Sequence, residues 1–128
     1  MKIQSRPAAG NNKITVLDLM GRVDAFDASD FEKEIKKVLE AGQYYLILNL
    51  EKTTYVSSSG LSVILRMAKE ARNNRGDLRL MNLNLTVRDT FEIAGFHRII
   101  RIFPNEMEAV ASFQDIFSAY DRFEIQKF

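Results

Sequence analysis

Three consecutive serines and a glycine, Ser57-Ser58-Ser59-Gly60, are the residues of this chain best placed for chemistry. They lie between a strand-like run and the first turn of its most regular amphipathic stretch. A serine at such a junction can cap the helix, its oxygen accepting a hydrogen bond from a backbone N–H two or three residues on. Ser57 or Ser58 could take that role. The turn also follows the C-terminal end of a strand, where open α/β sheets usually meet their ligands and partners. Spacing alone favours a plainer reading, in which all three serines serve as cap and turn residues.

Other reactive side chains are sparse. His97 is the single histidine, without Cys, Asp or Glu at ligand spacing, and reads as a surface residue rather than a metal ligand or general base. Asp24 and Asp27 could be paired carboxylates, but one suits a turn after a strand and the other a helix start. The glycines form no phosphate-binding loop of the nucleotide-binding kinds. No cofactor, no metal and no catalytic activity are therefore expected.

The elements that must hold the serine turn follow from periodicity. Lys2 to Arg6 can form a short edge strand, and Pro7 to Asn12 a hairpin connection. Lys13 to Leu19 reads as a strand ended by Gly21. Asp27-Ala28-Ser29 can start a helix whose buried stripe is Phe31, Ile35, Val38 and Leu39, with Gly42 as its stop. Tyr44 to Leu50 is a nearly continuous apolar run, as in a strand covered on both faces. The polar stretch Glu51 to Thr54 then leads to Tyr55, Val56 and the serines. Leu61, Ile64, Leu65, Ala68 and Ala71 form the next helical stripe, opposite Arg66, Lys69 and Glu70. Gly76 releases the chain into a strand from Leu78 to Met81. Thr86, with Asp89 three residues on, can open a third helix with Val87, Phe91, Ile93 and Ala94 on or beside its inner face and Gly95 after it. Ile99 to Phe103 reads as a last strand. Pro104-Asn105 opens a final helix bearing Met107, Val110 and Ala111. The alternation predicts an α/β domain with parallel strands and right-handed crossovers.

Composition narrows the function. A chain of 128 residues suits one domain, and a net charge of +1 gives no reason to expect nucleic acid or an anionic membrane as partner. No cysteine is present, which excludes disulfides and thiolate chemistry. No apolar run approaches the roughly 20 residues that span a bilayer. Met1 to Pro7 lacks the apolar core of a secretory signal, so a cytoplasmic location is expected.

Val56-Ser57-Ser58-Ser59-Gly60-Leu61-Ser62-Val63-Ile64-Leu65 resembles the signature of STAS domains, the family that includes the anti-sigma factor antagonists. Gly21-Arg22-Val23-Asp24, the strand Leu46-Ile47-Leu48-Asn49-Leu50, and Phe91-Glu92-Ile93-Ala94-Gly95-Phe96 before Ile99 to Phe103 are also similar to family segments. The chain departs from the pattern in three places. Ser57 stands where the family has Asp, Ser62 where it has a second glycine, and Phe96 where it usually has Leu.

The resemblance implies a single STAS-like domain with a four- to five-stranded mixed sheet. Its core would span about residues 13–112, with a helical extension over 113–128. It implies an anti-sigma factor antagonist, a partner-switching protein that binds an anti-sigma factor with serine kinase activity and is released on phosphorylation. A phosphatase would restore it. The acceptor would be Ser58, with Ser59 or Ser57 as alternatives, and the partner surface would comprise Gly21, Asp24, Ser57, Ser58, Ser59, Gly60 and Leu61. The ATP would belong to the partner, and this chain would be a monomer or weak dimer. The alternative is a STAS scaffold or accessory subunit of a transporter or signalling assembly, without phosphate control. Beyond the domain, Phe113, Phe117 and Tyr120 fall at helical spacing, with Phe123 and Phe128 later. They suit either core packing or a partner-binding or self-associating aromatic face.

Overall fold

The computed structural model describes residues 1–119. The elements run β1 (Lys2–Ala8), β2 (Asn11–Val23), α1 (Ala28–Glu40), β3 (Tyr45–Val56), α2 (Ser58–Asn73), β4 (Asp77–Met81), α3 (Leu85–Ile93), a 3-10 turn (Phe96–Arg98), β5 (Ile102–Phe103) and α4 (Glu106–Ser112). One sheet carries the strands in the order β1-β2-β3-β4-β5. β1 is antiparallel to β2, and every later pairing is parallel. The single α/β domain with a mixed sheet agrees with the expectation from sequence.

Both faces of the sheet are covered. Strand side chains alternate in direction, so Leu46, Leu48 and Leu50 enter one core while Ile47 between them enters another. The larger core joins Leu17, Leu19, Leu78 and Leu80 to Phe31, Ile35 and Leu39 of α1, Ile64 and Met67 of α2, and Phe91 of α3. The smaller joins Val16, Ile47 and Met81 to Ala109 and Phe113. The near-continuous apolar run of β3 has this two-sided burial as its cause.

α1 stops through paired bonds, Gly42 N–H to the Leu39 carbonyl (2.9 Å) and Gln43 N–H to that of Val38 (3.2 Å), with Gly42 at positive φ. At Gly76 a Cβ would collide with the Tyr44 carbonyl, so the turn from α2 into β4 accepts only glycine.

Several expected boundaries are corrected. Gly21 does not end β2. At φ +91° it sits beside a register shift, and the bulged strand continues to Val23. Glu51 to Thr54 belongs to β3, because backbone pairing is indifferent to side-chain polarity, and the buried Thr53 hydroxyl donates to the Leu19 carbonyl at 2.7 Å. α3 is capped by Asn84, whose side chain accepts from Val87 N–H, so it starts before Thr86. Ile93 is 88% exposed and Ala94 is also outside, because Val87 and Phe91 alone fill the inner face. The segment before β5 coils as a 3-10 turn, leaving only Ile102–Phe103 as strand. On α4, Met107 and Ala111 face outward while Ala109 is buried and Val110 partly so.

The chain beyond α4 folds back on the second face. Phe113 is buried and Phe117 lies edge-on to Tyr45 at 4.9 Å. The buried Arg79 guanidinium stacks 4.3 Å from the Phe113 ring and bonds Asp77, Ser112 and Asp115. Phe113 thus lies in the smaller core and the partly buried Phe117 packs against it, while Tyr120, Phe123 and Phe128 lie outside the described residues. A second polar tie links Arg6 to Asp18 (2.8 Å) and to Glu106 (2.7 Å). At Asp18 partial burial opposes ionisation, but hydrogen bonds from Arg6 and Asn49 outweigh it and hold the carboxyl below its usual range. The Arg6 hydrogen bond does the same for Glu106, against partial burial and with help from the Ala9 amide.

Two predictions follow from this packing. Gly76→Ala should destabilise the fold by about 2 kcal/mol or more through overpacking, read from the urea midpoint. Carboxyls with depressed folded pKa values contribute stability that is complete above the unfolded pKa of about 4 and is lost as pH falls through the folded one. Arg6→Gln should therefore be less stable than wild type at neutral pH. The gap should close in urea titrations once both carboxyls are protonated.

Candidate functional site

The serine turn sits where β3 delivers its last residue to α2. Ser57 is extended (φ −73°, ψ 167°), and its Oγ accepts the Gly60 N–H at 3.1 Å. Its carbonyl accepts from Leu61 (2.9 Å) and its own N–H donates to the Val23 carbonyl (2.8 Å). With only 8% of its surface exposed, Ser57 is committed to capping and to joining β2 with β3. Ser58 and Ser59, the first two residues of α2, are exposed. No acidic residue lies in this first turn, so the helix supplies no carboxylate of its own there to offset the positive end of its dipole.

Close packing fixes the position of the turn. A Cβ on Gly60 would stand 2.9 Å from Val56 Cγ1 and 3.0 Å from Val23 Cγ1. Leu61 is buried in the larger core. Of the residues expected at a partner surface, Ser57, Gly60 and Leu61 therefore look inward, and Ser58 and Ser59 look out. Gly21 is half-buried on the β2 bulge, in register with Thr53 and near the backbone of Met1.

The loop after β2 lies alongside. Asp24 Oδ1 accepts from the amides of Phe26 (3.0 Å) and Asp27 (3.2 Å), and the Asp24 amide donates to Asp27 Oδ2 (3.1 Å). Desolvation opposes the Asp24 charge, but its hydrogen bonding to Asp27, the Phe26 amide and nearby Arg22 keep the carboxyl below the ordinary aspartate range. Asp27 occupies the N-cap position of α1 without making a side-chain cap bond. It reaches back to Asp24 instead. The two carboxylates brace one loop; they do not face each other across a reaction site.

Sequence reasoning missed the apolar side chains at this end of the sheet. Phe26, in the braced loop, is 94% exposed, and Leu85, opening α3, is 78% exposed. Tyr55, near the end of β3, is partly exposed with the Arg22 guanidinium 4.5 Å from its ring. The available signal was a break in period: Phe26 precedes the stripe of Phe31, Ile35 and Leu39 by a spacing that no helical face accommodates. His97 is exposed on the 3-10 turn. Among the described residues no cluster of three or more His, Asp or Glu side chains could hold a metal ion. Nor is any helix there long and apolar enough to cross a membrane. What the site offers is two exposed hydroxyls, Ser58 and Ser59, at a helix N-terminus.

The family model described as the STAS domain matches residues 5–109. The chain is 38% identical over 96 residues to the candidate anti-sigma factor antagonist BtrV of Bordetella bronchiseptica, covering 73% of this chain and 80% of that protein. Its fold is similar to that of a candidate anti-sigma factor antagonist from Thermotoga maritima (TM-score 0.80, 19% identity, 88% of this chain and 94% of the other). It is also similar to the Bacillus cell fate determinant SpoIIAA in its phosphorylated form (TM-score 0.65, 22% identity, 87% and 98% covered). The serine turn, the bulged second strand and the mixed five-stranded sheet thus have a common explanation: the chain belongs to the STAS domain family.

Proposed function

We propose that this chain is an anti-sigma factor antagonist. Unmodified, it binds an anti-sigma factor through the serine turn and the loop after β2; phosphorylation of Ser58 by that partner, with the partner's ATP, releases it. The single observation that carries the choice of residue is the contrast between Ser57, buried and held by two backbone hydrogen bonds and one to its side chain, and the exposed Ser58 and Ser59 that open α2, of which the STAS resemblance selects Ser58. Modifying Ser57 would require breaking the cap. Modifying Ser58 requires no rearrangement of the fold.

A phosphate there adds roughly −1.5 to −2 charges next to the positive end of the helix dipole, which suits an anion. The folded state is retained, and the effect falls on the interface, where a hydrated dianion has to be desolvated against the partner. The chain's role is to present the hydroxyl; the chemistry of transfer resides in the kinase. A phosphatase reverses the modification, and the cycle runs in the cytoplasm. The 38% identity to BtrV supports this reading.

The test is to incubate the protein with the ATP-binding anti-sigma factors of the same organism and Mg-ATP, then map phosphate by mass spectrometry. Ser58 should be modified, Ser58→Ala should block incorporation, and Ser58→Asp should weaken binding by about tenfold or more. Ser57→Ala should lower stability by about 1 kcal/mol through loss of the cap, yet leave Ser58 a substrate. Phosphate on Ser57, or equal binding by Ser58→Ala and Ser58→Asp, would overturn the assignment. The latter result would favour a scaffold without phosphate control.

A further inference from the structure

We propose that Phe26 is the anchor of the partner interface, its ring entering an apolar pocket on the anti-sigma factor beside the serine turn. The inference rests on the reading above and adds a contact that neither the signature serines nor the core explain. Phe26 is 94% exposed, the most exposed large apolar side chain among the described residues. A fully solvated phenyl ring gives the free protein no burial, and aromatic rings of this kind supply much of the energy of protein interfaces.

The position is also held ready. The Phe26 N–H is bonded to Asp24 Oδ1 at 3.0 Å, and Asp24 and Asp27 exchange two further bonds around the loop. The Asp27 carbonyl then accepts the Phe31 N–H at 2.9 Å, fixing the loop to the start of α1. A ring on a braced backbone loses less freedom on binding than one on a mobile tip, which favours affinity. The surface is continuous with the serine turn: Val23, three residues before Phe26, accepts the Ser57 N–H at 2.8 Å. A surface cleft lined by Ala28, Ser29 and Glu32 of α1 and by Ser59, Ser62 and Arg66 of α2 joins the starts of the two helices, so a partner seated over Ser58 and Ser59 borders the loop that carries Phe26. Because Phe26 and Ser58 belong to separate elements, the ring provides affinity while the hydroxyl provides control.

The absence of tryptophan from the chain supplies a direct probe, since Phe26→Trp introduces a single indole. Affinity for the same organism's ATP-binding anti-sigma factor would be measured for wild type, Phe26→Ala and Ser58→Asp, and the emission of Phe26→Trp recorded free and bound. Phe26→Ala should bind roughly tenfold or more weakly with its melting temperature unchanged, since an exposed ring supports no packing. Indole emission should be that of a solvated ring in the free protein and shift to the blue in the complex, relative to the wild-type complex. Weakening by Ser58→Asp without any effect of Phe26→Ala and without a blue shift would overturn the anchor and leave the switch standing. Loss of affinity in Phe26→Ala with Ser58→Asp binding normally would overturn the switch instead. Failure of wild type to bind any such factor would overturn both. A blue shift of the free protein with rising concentration would assign the ring to a second copy of this chain and overturn the proposal.

Discussion

The parallel pairing of β2 with β3 is the constraint on which the rest of the molecule depends. It runs from Thr15 opposite Leu46 to Val23 opposite Val56, across two register shifts. Without those shifts the two strands would reach the end of the sheet out of step. With them, the loop to α1 and the turn to α2 leave adjacent positions at the same level. The Val23 carbonyl then meets the Ser57 N–H, and Gly60 fits between two valine side chains that any Cβ would strike. The exposed serines are thus placed by backbone register and by the absence of one methyl group, not by side-chain contacts of their own.

Much of this was legible in the sequence, for reasons that differ between elements. α2 announced itself because its buried stripe is long and its cap, Ser57, begins a clear period. β3 was readable as a central strand because Leu46, Ile47 and Leu48 must find apolar cover on both sides. Gly42 and Gly95 marked helix ends because both adopt the left-handed backbone that glycine favours. The serine turn itself stood out through resemblance more than through physics, since caps of this kind are common.

The misreadings have a shared cause: information carried by neighbours in space. Gly21 looks like a strand end locally, and only pairing with β3 shows it to be a bulge. Glu51 to Thr54 looks like a loop by polarity, yet its amides have a strand beside them. Ile93 and Met107 satisfy a helical period on paper, but α3 and α4 are short and each reaches the sheet through few residues. Phe26 shows the reverse error. Its apolar character suggested nothing, because an aromatic residue between two aspartates belongs to no stripe, and exposure cannot be read from residue type alone.

The two margins of the sheet bear on how such a molecule can associate. On one side β5 offers only two residues, too little backbone to recruit a neighbouring chain. On the other, β1 carries Pro7, which lacks an amide donor, together with charged Lys2 and Arg6, features that discourage strand addition. Self-templated growth of the sheet, the route to fibrous aggregates, is thereby blunted at both borders. This architecture directs association away from its backbone edges and towards its loops.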